Sequence, residues 1–62
     1  MSITVIETAY DDNMDHWVLW HMGNYHYEVE NRNTGYKVPL YLYHAEDSLA
    51  LAKETFYLQV NR

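Results

Sequence analysis

Four histidines, His16, His21, His26 and His44, are the side chains in this sequence best suited to chemistry. An imidazole titrates at about pH 6.5 and is a common metal ligand. Zinc needs three or four such ligands converging on one point. His16 and His21 stand five apart, so on a strand they face opposite ways. His21 and His26 flank Gly23-Asn24 and would be neighbours across a tight turn, with one acid as a third ligand. Nothing in the spacing selects that set, and no metal or cofactor is assigned. Asp11, Asp12 and Asp15 crowd five positions, which suggests calcium, but the glycine and late glutamate of a calcium loop are missing. That stretch reads as a solvated acidic turn.

Nucleophilic catalysis needs an activated Ser, Thr or Cys beside a base. There is no cysteine, Ser2 is terminal, and Ser48 sits where a helix cap belongs. Glu28 and Glu30 share a strand face and could form a carboxylate pair, yet a chain this short has little room for a closed pocket. The expectation is a protein that is not an enzyme.

The formal charge is −5 and lies unevenly. Residues 1–31 hold six acids and no Lys or Arg; residues 32–62 hold four bases and three acids. Phosphate contacts need clustered Lys and Arg, so direct binding to nucleic acid or to an anionic membrane is disfavoured. The acidic half suits a basic partner instead. Asp11, Asp12, Asp15, Glu28 and Glu30 would supply charge to such a contact. Seven Tyr, two Trp and one Phe are more rings than a small core needs, and Trp and Tyr are favoured interface anchors. Trp17, Trp20, Tyr41 and Tyr43 are the candidates. The longest apolar run, Trp17-Val18-Leu19-Trp20, is too short for a signal peptide or membrane span, so a cytoplasmic location is expected.

Elements must hold these side chains in place. Residues 2–8 are rich in Ile, Val and Thr and read as a strand, with Ile3 and Val5 on one face and Thr4, Ile6 and Thr8 on the other. Residues 16–21 are a second strand, apolar on both faces, so the second face is either covered or an interface. In residues 25–31, Tyr25, Tyr27 and Val29 alternate with His26, Glu28 and Glu30. Asn31 to Gly35 is a polar turn. Residues 36–43 place Tyr36, Val38, Leu40 and Leu42 on one side; Pro39 marks an edge strand or a bulge. Lys37 would pair across the strands with Glu28 or Glu30. A helix runs from Asp47 to about Phe56, with Leu49, Ala52 and Phe56 on one face, extended by Ala45. Residues 57–62 alternate again and suggest a last short strand. The fold class is α+β: one domain over residues 1–62, a small antiparallel sheet of four to five strands, and one helix of the C-terminal half packed on one face.

The segment Tyr36-Lys37-Val38-Pro39-Leu40-Tyr41, followed by Ala45-Glu46-Asp47-Ser48-Leu49-Ala50-Leu51-Ala52, resembles the small inhibitors of bacterial RNA polymerase encoded by T7-type phages. The likeness covers about half the chain and ends on the aromatic pair Phe56-Tyr57. That family's binding arginines, on a strand after the helix, have Arg62 as their one counterpart here. The resemblance implies a small phage protein that binds and inhibits a host nucleic-acid enzyme. RNA polymerase, or a restriction or CRISPR defence nuclease, is the expected class of target, met through a basic surface in the host cytoplasm. The alternative is a homo-oligomeric assembly module, at its simplest a homodimer, joined through edge strands and the Trp17 to Trp20 stretch. A His-site metal-binding protein is the third reading.

Overall fold

The computed structural model describes residues 3–43 and 46–62. The strand start at Ser2, the candidate ligand His44 and the helical extension through Ala45 lie outside the described residues. Four strands precede one helix: β1 (Thr4–Tyr10), β2 (His16–Gly23), β3 (His26–Asn31), β4 (Lys37–Tyr41) and α1 (Ser48–Val60). The sheet order is β1-β2-β3-β4, and every neighbouring pair is antiparallel. The α+β architecture expected from the sequence is the one found.

Period-two alternation on β2 and β3 builds the core. Trp17 and Leu19 on β2 and Tyr27 and Val29 on β3 are buried together with Ala52, Phe56 and Val60 of the helix. Ile6, Ala9, Val38, Leu40 and Leu42 close the margins. Phe56, Leu19 and Val29 have no exposed surface. Full burial of side chains this size stabilises by about 1.5–3 kcal/mol each.

The helix begins where its cap permits. The Asp47 carboxylate accepts the Ala50 N–H at 3.2 Å, satisfying one donor of the first turn. Residues 57–62 are not a fifth strand, contrary to their alternation. The helix continues to Val60 because Val60 lies four residues beyond Phe56 and eight beyond Ala52, on the same stripe. No Gly or Pro follows Phe56 to stop it. The stripe is accordingly Ala52, Phe56 and Val60, while Leu49 is exposed.

β1 also departs from simple alternation. Its register slips between Val5 and Glu7. Val5 pairs with Trp20 and Thr8 with Val18, so the two share the face away from the helix. The bulge lets Ile6 reach the core. β4 is an edge strand, which accommodates Pro39. Gly23, the last residue of β2, and Asn24, the first of the two-residue turn Asn24-Tyr25, both take positive φ, so the turn lies one residue beyond the expected Gly23-Asn24.

Candidate interaction surface

The helix covers one side of the sheet only. The other side is laid out by the strand register. One row across it reads Thr8, Val18, Glu30, Lys37; the next reads Val5, Trp20, Glu28, Pro39. His26 opposite Tyr41 continues the pattern toward the β2–β3 turn. Of the pairings expected for Lys37, the register gives Glu30.

Hydrogen bonds fix part of this face. The Trp20 indole N–H donates to Glu30 Oε1 at 2.9 Å. Arg32 Nη1 stands 3.5 Å from the same oxygen. Glu30 is therefore satisfied and largely buried, with 15% of its side chain exposed. Glu28 differs. Among the described residues no hydrogen bond or ion pair engages its carboxylate. Beside it runs an open groove of about 370 Å³, walled by Ile3, Trp20 and Met22 and rimmed by Arg32 and Lys37.

A tyrosine group extends the face at one end. The His26 ring stacks on Tyr41 at 4.4 Å, and Tyr41 lies parallel to Tyr43 at 6.0 Å. Tyr25 meets Tyr43 edge-on at 6.5 Å. All three tyrosines are exposed, and His26 Nε2 is buried with no hydrogen-bond partner among the described residues.

The acidic turn belongs elsewhere. Asp11 Oδ1 accepts the backbone N–H groups of Asn13 and Asp15 at 2.8 and 2.9 Å. Its Oδ2 accepts the indole N–H of Trp17 at 2.9 Å. Asp15 Oδ2 accepts from the Asn31 amide at 3.2 Å. Asp11, Asp12 and Trp17 line a second hollow, about 200 Å³, against Val60 and Arg62 at the helix end. The nine residues expected to meet a partner thus fall into two groups. Trp20, Glu28, Glu30, Tyr41 and Tyr43 share the open face and its end. Asp11, Asp12, Asp15 and Trp17 gather at the β1–β2 turn on the helix side. Trp17 is no anchor: it is buried, and Asp11 already takes its N–H. Asp11 and Asp15 hold the fold, which leaves Asp12 the exposed, unengaged acid of the turn.

The Trp17 hydrogen bond holds the Asp11 carboxyl below its ordinary 3.8; the Asp15 and Asn13 amides act the same way, against an opposing desolvation. A carboxyl whose pKa is lower when folded binds fewer protons in that state. Its stabilisation is complete above 3.8 and fades as pH falls through the lower folded value. Asp11→Asn is expected to flatten the acid limb of a pH–stability curve below about pH 4. Urea midpoints measured from pH 2 to 7 check this, and an unchanged limb would remove Asp11 from the account. At the other extreme, the Tyr57 hydroxyl donates to Glu7 at 2.5 Å, and that bond raises its pKa above 10.0.

His21 and His26 take opposite faces of the sheet. The register slip between His21 and Gly23 pairs His21 with Tyr27 and Gly23 with His26. His21 stacks on Tyr27, a core residue, at 4.8 Å, whereas His26 stacks on Tyr41 of the open face. Among the described residues no three His, Asp or Glu side chains come together as a metal site. No helix of the described residues is long and apolar enough to cross a membrane.

Sequence reasoning passed over Asn31, taken as the start of a turn. It is the one buried polar residue among those described. Its Oδ1 accepts the N–H groups of Asn33 and Thr34 at 2.9 and 3.1 Å. The Asn-x-Asn spacing was the available signal. No family model matches the chain, and no curated protein or solved structure is significantly similar to it.

Proposed function

We propose that this chain is a non-catalytic binding protein that covers a basic surface of a nucleic-acid enzyme, with the open face of its sheet as the docking surface. RNA polymerase and the restriction and CRISPR nucleases are the target classes, as the phage-inhibitor resemblance implies. The observation that carries the docking reading is the uncovered side of the sheet, where Trp20 stands half-exposed beside Glu28, whose carboxylate has no partner among the described residues. Size supports it. A standard interface takes about 800 Å² from each partner, and the molecule's broad side measures 33 by 22 Å. Charge supports it too, since the chain carries −5 and a cationic surface attracts it at long range.

Affinity capture from bacterial lysate at low and moderate salt tests the reading. One nucleic-acid enzyme should be recovered stoichiometrically, be released by added DNA, and weaken as salt rises. Trp20→Ala should cost about 2 kcal/mol or more, roughly thirtyfold in affinity, as central aromatic anchors do. Capture unaffected by DNA and by Trp20→Ala would sink the docking face. A specific observation also favours the second copy as occupant: Arg32 and Lys37 flank Glu28 and Glu30 on one face, so two such faces related by a two-fold axis would match charges. Light scattering showing a dimer that Trp20→Ala dissociates would move the assignment there.

A further inference from the structure

We infer that the groove beside Trp20 is a receptor for a single arginine side chain projecting from the partner's basic surface. The inference rests on the docking reading above and names the contact at its centre. Glu28 lies midway across β3, with Trp20 opposite it on β2 and Pro39 opposite it on β4. A carboxylate between an indole and a proline ring is shielded from water on two sides. It is half-buried, and nothing among the described residues neutralises it. Its neighbour Glu30 already has both the Trp20 N–H and the Arg32 guanidinium. Of the two carboxylates, Glu28 is therefore the one left for a cation from outside.

The shape selects the cation. The hydrogen bond to Glu30 pins the Trp20 ring, so its face is preset rather than free to rotate. Ile3 and Met22 wall the groove with apolar surface. A planar guanidinium can lie on an indole face while donating two parallel N–H bonds to a carboxylate. An ammonium is a compact, strongly hydrated point charge and gains less from such a slot. The arginine stem would run along Ile3 and Met22 while its head met Trp20 and Glu28.

Nuclear magnetic resonance titration of the ¹⁵N-labelled full chain tests this without the partner. Nα-acetyl-arginine methylamide should shift the Trp20 indole N–H saturably, with a dissociation constant on the order of millimolar. The Trp17 indole, buried on the other side of the sheet, serves as the internal reference. The lysine analogue should bind about fivefold more weakly or less still. Glu28→Gln, which keeps size and shape, should weaken the arginine probe by about the same factor. Equal response to both analogues, no effect of Glu28→Gln, or shifts centred on Trp17 would each overturn the assignment. If the probe fails while Trp20→Ala still abolishes capture of the enzyme, the arginine receptor falls and the docking face stands. If both fail, the face itself is wrong.

Discussion

Phe56→Ala is expected to remove most of the folding stability of this protein. Phe56 has no exposed surface and is the largest of the fully buried side chains. It comes from the middle of a stripe whose other buried members are Ala52 and Val60. Truncating a buried phenylalanine costs about 3–5 kcal/mol. A domain of this length has roughly 3–9 kcal/mol in total, at about 0.05–0.15 kcal/mol per residue. The cavity cannot close cheaply, because the neighbouring helix positions are small and the sheet beneath is held by its own ladders. A 13-residue helix is marginal in isolation, so losing its main contact frees it from the sheet. Urea denaturation followed by tryptophan fluorescence and helical circular dichroism checks this. Leu58→Ala, on the exposed side of the same helix, is the matched control and should change stability by no more than about 0.5 kcal/mol. Similar effects from the two substitutions would overturn the packing account.

Asn31→Ala should come next, at about 2–4 kcal/mol, and for a different reason. The residue is buried, and its side chain makes three hydrogen bonds. Removing it strands the backbone N–H groups of Asn33 and Thr34 and one oxygen of Asp15. Those groups hold the β3–β4 turn and tie it to the β1–β2 turn; Asn33 in turn accepts the His16 N–H at 2.8 Å. Asn31→Asp separates the two halves of the argument. It keeps the acceptor for Asn33 and Thr34 but sets a second carboxylate against Asp15. That variant should be destabilised at pH 7 and recover as pH falls through the carboxylate range, while Asn31→Ala should not recover. Denaturation midpoints at pH 7 and pH 4 for both variants decide it. A recovery by Asn31→Ala would remove the charge argument.

Much of this fold was legible because strand alternation is a local signal. Tyr27 and Val29 against Glu28 and Glu30 predicted β3 and both its faces. The helix was placed from Asp47 and the Leu/Ala run for the same kind of reason. Its end was misplaced because Tyr57-Leu58-Gln59-Val60 satisfies period two and period 3.6 alike, and only the position of Val60 over the sheet decides between them. Bulges defeated the reading of β1 and of the histidines. An unpaired extra residue near Val5, and another near Met22, changes which side chains share a face; the first has no glycine beside it, whereas the second abuts Gly23, whose positive φ was the available signal. The candidate surface was half legible. Trp20, Glu28, Glu30, Tyr41 and Tyr43 were named from type and alternation. That Trp17 faces inward and Trp20 outward follows from which side the helix takes, and that is a tertiary choice.

The meander order of the sheet has a consequence for how the chain reaches this state. Every strand pairs with its immediate neighbour in sequence, so each pairing closes a loop of only a few residues. Loop closure of this length has little entropic penalty, and low contact order accompanies fast folding. All four strands leave the ribosome before the helix does. The three hairpins can assemble in the order they are synthesised, and Ala52, Phe56 and Val60 then find a surface already in register. The helix, made after the strands, is the segment that converts a string of hairpins into a core, so cooperativity enters only once it has emerged.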